Sequence, residues 1–515
     1  MAVPAKKLVL TYVDSLRTDM LQRAVAEGQA PNFKVLLDRG VLIPDCVSSF
    51  PSVTPVACAE MVTGSAADGH WISGMNWYHR LERRYVEYGS SLEATRTVGV
   101  FRALYDLVYN MNLAHLNPDL DTLFERLDDA GANTACTPFL IYRGRHRHRV
   151  SLDGLLRRAV DATQLKFRHH TWGPRELFYG ELYASRQVPC RATSIPGNRD
   201  GYAACCAAEL AKDDGFDFLL LSLPDNDNYS HRHGPEASVE SIAKADRAFS
   251  LLVEAVGGMD AFLEEHAVIL LADHAQTAVR RGLPLAELLD REWRVLKPSE
   301  DRAERAQLAV SPTGRAAHVY LLDGGVLDGG GDRAAPREVG RRLAETEGVD
   351  LVCWLEDRKG EPLLREGAGV GAAGEVTAVV ERNGQQLRFR PGKEVEDLRG
   401  RRWDLDGELS ALEAAMVEDR LQSEEYPDAL SRLFSALTAP HAGDFIVSLA
   451  LGYEALDWGG VSHAGGGSHG ALHRGDSLGP LLFVGCGPSD PGERAQWALR
   501  DVAPVVLEHF GIGDD

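Results

Sequence analysis

The fold is indicated first by residues 218–231, which read FLLLSLPDNDNYSH. Six almost continuously apolar residues are followed at once by a polar segment that contains carboxylates and an imidazole. A short apolar run of this kind is typical of a strand that is buried on both faces of a sheet. Similar runs recur along the chain at Leu8–Val13, Val268–Ala272, His318–Leu322, Leu351–Trp354, Phe445–Leu451 and Leu481–Val484.

Helical patterns lie between several of these apolar runs. They cover residues 118–130, 201–212, 238–256 and 502–510. Buried strands that alternate with helices indicate a sheet packed between two layers of helices. We therefore predict an α/β fold whose central, largely parallel sheet is flanked by helices on both faces.

The composition indicates a globular protein and narrows the choice of partner. The 515 residues are 44% hydrophobic and 25% charged, which excludes long disorder and collagen-like repeats. Asp and Glu number 76 against 55 Lys and Arg, so the net charge is −21. A sequence-independent nucleic-acid binder would be basic, and we expect no nucleic-acid partner. An anionic small-molecule substrate is still compatible with this charge, because bound metal cations can reverse its local sign.

Neither membrane attachment nor thiol chemistry is indicated. No apolar run approaches the ~20 residues of a membrane span, and the apolar stretch after Lys6 and Lys7 is too short for a signal-peptide core. We expect a cytoplasmic protein without a membrane partner. The eight cysteines form no CxxC pair, so we interpret them as buried free thiols rather than as a zinc or redox centre.

Two regions interrupt the alternation of strands and helices. Residues 141–200 are rich in Arg and His, which is typical either of a solvated face or of a surface that steers an anionic substrate. Residues 281–436 are acidic and mix short strands with helices, so we predict a smaller inserted α+β cap there. The main domain is then discontinuous and consists of residues 1–280 and 437–515.

Carboxylates and imidazoles gather where the apolar runs end. In an open α/β sheet, ligands bind beyond the carboxyl ends of the strands, so we expect these side chains to meet at one edge. Zinc binds carboxylate oxygens and imidazole nitrogens. Two metals about 3.5–4 Å apart, held by about six or seven ligands, can clamp both oxygens of an in-line displacement at phosphorus. The six ligands that we select are Asp14, Asp227, His231, Asp273, His274 and His469.

Two of these ligands have alternatives. Asp225 follows the same apolar run as Asp227 and is the alternative to it as a ligand. Three other histidines are candidates either to replace His469 as a ligand or to support the ligands through hydrogen bonds. They are His233, His463 and His473.

Thr54 is the candidate nucleophile. It stands in the segment SFPSVTPV, residues 49–56, where Pro55 suits the first position of a helix. Thr54 is then predicted to be the N-cap of a helix that runs to about Thr63, whose positive end favours an anion. A free Thr hydroxyl is a weak nucleophile and needs metal coordination to ionise near neutral pH.

Residues near these motifs are candidates for substrate contacts. Asn76, within the segment GMNWY, is a candidate hydrogen-bond donor to a phosphoryl oxygen. Tyr78 and Tyr229, together with Trp77, are candidates to stack on a nucleotide base, although aromatic side chains more often pack in a core.

These motifs resemble the alkaline phosphatase superfamily and, within it, the type I phosphodiesterase/nucleotide pyrophosphatase family. The resemblance rests on FPSVTP at residues 50–55, Thr63-Gly64, Asp227-x-x-x-His231-x-x-Gly234-Pro235, Asp273-His274 and GSHG at residues 467–470. The order of the motifs along the chain also matches the family. The resemblance covers residues 7–80, 215–280 and 440–490.

The resemblance implies an alkaline-phosphatase-like core with two Zn²⁺ ions, although Mn²⁺ or another divalent metal suits the same ligand types. The ligands of one ion would be Asp14, Thr54, Asp273 and His274, and those of the other would be Asp227, His231 and His469. Asn76 would hydrogen-bond a phosphoryl oxygen.

The implied function is hydrolysis of a nucleotide or related phosphodiester. Thr54 would attack phosphorus to form a phospho-threonine, which water would then hydrolyse. One alternative is a phosphomonoesterase or phosphonate hydrolase with the same site, and an Arg or Lys from residues 141–200 beside the metals would favour it. An alternative of another class is a catalytically inactive binding module.

Overall fold

The structure is a computed structural model that describes residues 6–149, 170–180, 182–191, 199–300, 303–323, 334–363 and 376–513. Parts of the two predicted insertions, 141–200 and 281–436, lie outside the described residues. Within these ranges the chain forms two large sheets, three small ones and many helices.

The strands of the described residues are numbered here in chain order. They are β1 (Lys7–Val13), β2 (Val41–Val47), β3 (Asn76–His79), β4 (Arg84–Glu87), β5 (Thr134–Cys136), β6 (His146–Arg149), β7 (His170–Gly173), β8 (Glu176–Tyr179), β9 (Tyr183–Ala184), β10 (Phe218–Leu223), β11 (His266–Leu271), β12 (Thr277–Leu283), β13 (Leu308–Thr313), β14 (Ala316–Leu321), β15 (Val349–Glu356), β16 (Thr377–Arg382), β17 (Gln385–Asp397), β18 (Arg402–Gly407), β19 (Ala414–Val417), β20 (Arg420–Ser423), β21 (Phe445–Leu449), β22 (Gly452–Ala455), β23 (Gly467–Ser468) and β24 (Leu478–Val484).

The helices are numbered in the same way. They are α1 (Thr18–Ala26), α2 (Pro31–Arg39), α3 (Thr54–Thr63), α4 (Ala67–His70), α5 (Leu92–Val98), α6 (Val100–Tyr105), α7 (Leu123–Asp129), α8 (Arg199–Lys212), α9 (Asp225–His233), α10 (Val239–Ala255), α11 (Met259–Glu265), α12 (Leu285–Leu289), α13 (Pro336–Ala344), α14 (Ala429–Thr438), α15 (Arg474–Ser477) and α16 (Val502–His509), with a π-helix at Asp106–His115. In the part of the chain that the structure describes, no helix is both long and apolar enough to cross a membrane.

The central sheet has eight strands in the order β2-β24-β11-β1-β10-β5-β8-β9. The five strands from β11 to β8 run parallel, whereas β24, β2 and β9 join through antiparallel pairs at the two edges. Parallel neighbours require a crossover connection, and the helices between the strands supply it. The predicted α/β fold with a largely parallel central sheet is confirmed.

The central strands are apolar on both faces because helices cover both sides of the sheet. In β1, Leu8 and Leu10 enter one core, and Val9 and Val13 enter the other. Helices α3, α7 and α16 pack in the first core, and α1, α2, α8 and α10 pack in the second. Burial of a Leu or Val side chain stabilises the fold by about 1.5–3 kcal/mol, which explains the uninterrupted apolar runs of the sequence.

A second, antiparallel sheet lies in the C-terminal half of the chain. Its order is β13-β14-β21-β15-β16-β17-β20-β19, with β18 also paired to β17. Among the described strands of this sheet, only β17 and β20 pair in parallel. Strand β21 follows residue 436 in sequence, yet it pairs with β14 and β15 from residues 281–436. The boundaries of the main domain and the cap stay a prediction.

Buried Arg315 connects the second sheet to the loop that carries His469. Its guanidinium pairs with Asp476 at 2.5 Å and donates to the carbonyl oxygens of Ala450 and Tyr453 at 2.9 and 3.0 Å. Asp476 also accepts from the amide of Ala471 at 2.9 Å. A buried ion pair needs several hydrogen bonds to offset its desolvation, and this one has them.

The cysteines differ from the prediction at one pair. Cys190 and Cys205 form a disulfide with Cα atoms 5.8 Å apart, whereas all eight cysteines were predicted to be free. The pair forms because Val188 and Cys190 pack against the core beside α8, a contact that the sequence pattern does not reveal. The other six cysteines are free, and five of them are buried.

Candidate metal centre

The predicted ligands lie at the carboxyl edge of the central sheet. Asp14 follows β1 directly, Asp273 follows β11 after one residue, and Asp227 lies in α9 just after β10. The parallel register places Val13 beside Leu223, and the Asp14 amide donates to the Leu223 carbonyl at 3.1 Å. The ends of neighbouring parallel strands therefore bring these acids to one place.

The ligand atoms form two groups of three. In each group the nitrogen and oxygen atoms lie within 4.8 Å of one another. The group Asp14, Asp273 and His274 is termed the buried triad, and the group Asp227, His231 and His469 is termed the helix triad. The rings of His274 and His469 stack with their centroids 3.7 Å apart, so the two triads meet face to face.

This set of donors fits divalent metals. Carboxylates and imidazoles are the ligand types that zinc takes. Among the described residues, the buried Asp14 Oδ1 has no hydrogen-bond partner, and an unsatisfied buried polar atom costs about 1–3 kcal/mol. A cation at the buried triad would satisfy this oxygen and offset the clustered negative charge.

Like charges meet in the buried triad. Burial raises the pKa of Asp14 well above its usual range, and the carboxylates of Asp273 and Asp227 raise it further. Hydrogen bonds orient the second acid of the triad. Asp273 accepts from the Tyr12 hydroxyl at 3.1 Å, the Ser15 amide at 3.1 Å and the His274 amide at 2.9 Å.

The helix triad is built on one turn of α9 and on the loop after β23. Asp227 and His231 are four residues apart and therefore share one face of the helix. His231 Nδ1 lies 2.7 Å from the Gly467 carbonyl, and His469 Nδ1 lies 2.8 Å from the Ser52 carbonyl. Because a carbonyl only accepts, each Nδ1 donates, and each Nε2 is left to face Asp227 Oδ1, at 3.3 and 3.6 Å.

Opposite charges meet in the helix triad. Burial raises the pKa of Asp227, but His231, His469 and His274 outweigh it and hold that pKa well below its usual range. Burial lowers the pKa of His231, but the Asp227 carboxylate outweighs burial and raises it to about 9. Burial and the adjacent His274 hold the pKa of His469 well below its usual range.

Thr54 lies beside the buried triad, although it is not the N-cap that the sequence predicted. Val53 has the extended backbone of the N-cap, Thr54 is the first residue of α3, and Pro55 is the second. Proline is tolerated at either position because the first N–H groups of a helix have no intrahelical partner. The Thr54 Oγ1 atom lies 3.3 Å from His274 Nε2, the ring nitrogen that faces the ligands.

Asn76 and Tyr78 make their contacts with the second sheet rather than with the triads. They share one face of β3, because alternate residues of a strand point the same way. The Asn76 side-chain amide donates to the Pro312 carbonyl at 2.5 Å. Tyr78 is buried against Tyr85 and Tyr320 in a separate small core. Packing of β3 along β13 therefore explains where both side chains lie.

Tyr229 lies on the face of α9 opposite the metal ligands. At 3.6 residues per turn it is rotated by about 200° from Asp227. Its hydroxyl donates to Glu240 at 2.8 Å, and the Lys244 ammonium lies 5.4 Å from its ring centre, so α10 engages this side chain. Trp77 is fully buried in the core.

Asp225, the alternative to Asp227, has other partners. It accepts from the Asp200 amide at 3.1 Å and pairs with Arg199 at 3.2 Å. The Asp225 amide donates to Asp200 Oδ1 at 2.9 Å, so each acid caps the first turn of the other's helix. Burial, followed by the charge of Asp225, raises the pKa of Asp200 to about 8. Asp227 is therefore the acid that joins the triad.

None of the alternative histidines belongs to a candidate ligand group among the described residues. His463 pairs with Glu454 at 2.8 Å, and its ring centre lies 4.0 Å from that of His231, so it supports a ligand. The other two pack elsewhere: His473 with Glu425, and His233 with Tyr229.

Two polar residues that were not predicted from the sequence, Ser15 and Gln276, lie between the triads. Ser15 Oγ lies 2.8 Å from Asp227 Oδ1 and 3.2 Å from His274 Nδ1. Gln276 Nε2 lies 2.7 Å from the same Asp227 oxygen. The only sequence signal for either residue is its position within two residues of a predicted ligand.

The profile of the type I phosphodiesterase / nucleotide pyrophosphatase family matches residues 8–382. The chain belongs to this family. It is therefore a phosphoric ester hydrolase, and the reading as a non-catalytic module loses its support. The region that matches the phosphodiesterase family contains every predicted ligand except His469. His469 lies beyond residue 382, and the fold brings it next to Asp227 and His231.

Several solved structures share the fold of this phosphodiesterase-family chain. Phosphonoacetate hydrolase from Sinorhizobium meliloti 1021, in complex with phosphonoformate, is 16% identical with a TM-score of 0.54, covering 99% of this chain and 96% of that one. Murine ectonucleotide pyrophosphatase/phosphodiesterase 5 is 12% identical with a TM-score of 0.54, covering 98% and 95%. Its human counterpart is 14% identical with a TM-score of 0.51, covering 99% and 96%. No curated protein matches the sequence.

Proposed function

We propose that this chain is a two-metal phosphodiesterase or nucleotide pyrophosphatase whose nucleophile is Thr54. The observation that carries the proposal is the meeting of the two triads beside the Thr54 hydroxyl, 3.3 Å from His274 Nε2. Zinc is the metal that we expect, because each triad combines carboxylate and imidazole donors and leaves room for a further ligand.

Two bound cations would activate the Thr54 hydroxyl and neutralise charge on the phosphoryl group. The protein contributes further stabilisation of the developing negative charge. Thr54 opens the ten-residue helix α3, and the free amides of a helix N-terminus attract anions. Asp227 and His231 hold their geometry through one turn of α9, so little rearrangement is needed when substrate binds.

The reaction consists of two displacements at phosphorus. In the first, a bond forms between Thr54 Oγ1 and phosphorus while the bond to the leaving-group oxygen breaks, and the hydroxyl proton passes to solvent. In the second, water attacks the phospho-threonine, and Thr54 Oγ1 leaves with a proton. This division of one hard step into two easier ones is the general advantage of nucleophilic catalysis.

Hydrolysis of bis-p-nitrophenyl phosphate with added zinc tests the nucleophile. We expect Thr54→Ala to lose at least ~10³-fold in kcat/KM, because the covalent route disappears. Thr63→Ala is the matched control, since Thr63 ends the same helix and its hydroxyl donates to Ala59. Full diester turnover by Thr54→Ala with both zinc ions bound contradicts the proposal.

Arg199 favours a second candidate, a phosphomonoesterase or phosphonate hydrolase with the same site. It opens α8 within the predicted insertion 141–200 and donates to Asp225 at 3.2 Å and to the Pro224 carbonyl at 3.5 Å, at the end of β10. Burial is the largest cause of the raised pKa of Asp14, and the positive charge of Arg199 lowers that pKa. A guanidinium at this edge suits the second negative charge of a monoester or phosphonate.

Comparison of p-nitrophenyl phosphate with the diester separates the two candidates. If the second is right, wild type prefers the monoester, and Arg199→Ala raises the KM for the monoester about tenfold more than that for the diester. Arg199→Lys should restore part of the difference, because it keeps the charge but not the planar fork. A wild-type preference for the diester, with both KM values equally affected by Arg199→Ala, rejects the second candidate.

A further inference from the structure

We infer that Ser15 is a positioning residue that couples the two metal positions to each other. The inference rests on the proposed metal centre and extends it to a residue that is not a ligand. Ser15 follows Asp14 in the sequence. It is buried, and it contacts side chains of both triads.

The contacts of Ser15 reach three of the six ligands. In the helix triad, its hydroxyl lies 2.8 Å from Asp227 Oδ1. In the buried triad, its amide donates to Asp273 Oδ1 at 3.1 Å, and its hydroxyl oxygen lies 3.2 Å from His274 Nδ1. One small side chain therefore lies between ligands of the two triads.

The groups present assign the protons of this network. A carboxylate only accepts, so the single hydroxyl hydrogen of Ser15 is donated to Asp227. The Gln276 amide donates both to Ser15 Oγ at 3.2 Å and to Asp227 Oδ1 at 2.7 Å. Ser15 Oγ can then only accept from His274 Nδ1, which also faces the Ala275 carbonyl at 3.2 Å.

This assignment directs one atom of each of two buried-triad ligands towards the proposed metal position. With a hydrogen on Nδ1, His274 turns Nε2 towards Thr54 and Asp273 Oδ2, and Nε2 is the ring nitrogen that would bind a metal. Asp273 Oδ1 accepts from the amides of Ser15 and His274, whereas Oδ2 accepts from the Tyr12 hydroxyl and keeps a second lone pair for a metal. Ser15 thereby orients ligands of both triads, and loss of its hydroxyl changes both metal positions together.

The backbone of Ser15 supports a specific role for the side chain. Its φ of 57° lies in the left-handed region, which residues other than glycine seldom adopt. Such a conformation persists only where the surroundings hold it, and it tends to occur at functional sites. Glycine adopts it without strain but lacks the hydroxyl, so Ser15→Gly separates the strain from the hydrogen bonds.

Zinc binding to metal-free full-length protein, measured by calorimetry, tests the coupling. We expect wild type to bind two zinc ions and Ser15→Gly to bind both about 10–100-fold more weakly, as is usual when a support of a metal ligand is removed. Urea unfolding without metal should show Ser15→Gly to be at least as stable as wild type. Ser15→Ala should show the same loss of affinity, which keeps the test valid if one variant folds poorly.

Gln276→Leu sharpens the test, because the Gln276 amide donates to Asp227 and to Ser15 Oγ, whereas its only route to the buried triad is through Ser15, whose own hydroxyl this variant keeps. It should weaken one zinc position about tenfold and leave the other unchanged. The control is Ser435→Ala, which removes a hydroxyl that donates to Asp68 at 2.9 Å in another part of the molecule. Zinc binding by this variant should equal that of wild type.

The outcomes distinguish the inference from the proposed function. Wild-type affinity at both positions in Ser15→Gly, or a loss at only one of them, overturns the coupling role while the metal centre stands. Failure of wild type itself to bind two zinc ions overturns the proposed function, and the coupling with it.

Discussion

The two triads hold the same kinds of ligand in different ways. The buried triad sits on strand ends, and its three residues are buried. The helix triad combines one helical turn with a distant loop, and Asp227 and His231 are partly exposed. In the buried triad, burial and then like charges raise the pKa of Asp14, whereas in the helix triad the imidazoles outweigh burial and hold the pKa of Asp227 low.

This difference shows that sheet register and charge pairing are separate means of building a metal site. Register places the acids of the buried triad together despite their repulsion, which a cation at the proposed site would relieve. In the helix triad, the Asp227 carboxylate faces the imidazoles of His231 and His469 even without a metal. Four measurements test this contrast.

The largest effect is expected from removal of one imidazole from each triad. His274→Ala should lower kcat/KM for the phosphodiester by ~10⁴-fold, and His469→Ala by ~10²–10³-fold, because His274 contacts the Thr54 hydroxyl as well. Steady-state kinetics with saturating zinc checks the order. A larger loss in His469→Ala would reverse the roles that we assign to the triads.

The pH dependence of stability should reveal the helix triad. The folded-state pKa of His231 is raised to about 9 without metal. Its contribution is therefore complete below the unfolded pKa of about 6.5 and is lost as the pH rises through 9. Metal-free wild type should lose about 2 kcal/mol more stability between pH 6.5 and 9 than His231→Gln does. Urea unfolding with a chelator measures this, and equal slopes would contradict the charge pairing.

Neutralising one acid in each triad should have opposite effects on the metal-free protein at pH 7. The folded pKa of Asp14 is raised, so its charge is unfavourable there, and Asp14→Asn should stabilise the fold by about 1 kcal/mol. The folded pKa of Asp227 is lowered, so Asp227→Asn should destabilise it by about 1–2 kcal/mol. Chelator-treated proteins unfolded in urea give both values, and effects of the same sign would remove the distinction between the triads.

The smallest effects are expected from single supporting hydrogen bonds. Tyr12→Phe removes the donor to Asp273, and Glu454→Gln weakens the support of His463 behind His231. Each should weaken zinc binding by a few-fold, about 0.5–1.5 kcal/mol, at its own triad only. Zinc calorimetry resolves the two positions, and an equal loss at both by either variant would show that the supports are shared.

Much of the fold could be predicted because buried parallel strands carry a clear signal. The runs at 8–13, 218–223 and 481–484 all lie in strands of the central sheet. Helix ends were less certain, and α3 begins at Thr54 rather than after it. The disulfide between Cys190 and Cys205 escaped prediction because pairing depends on the distance between Cα atoms, not on spacing in sequence.

The six proposed ligands could be selected from sequence because each follows a strand or precedes one. Helical periodicity alone also brings Asp227 and His231 to one face of α9. The same periodicity carries Tyr229 to the opposite face, where Glu240 binds it. Tyr229 was predicted to contact substrate because it is close to the ligands in sequence. Its side chain nevertheless points away from them, on the other face of the helix.

The sequence by itself determined the α/β architecture, the acids at the strand ends and the one-turn spacing in α9, because these depend on local periodicity. Only the tertiary structure decided that His274 stacks on His469 and that Ser15 lies between the triads in a left-handed conformation. It also turned Asn76 towards the second sheet. Such features depend on contacts between segments far apart in the chain, and no local pattern of residues encodes the direction in which those segments approach.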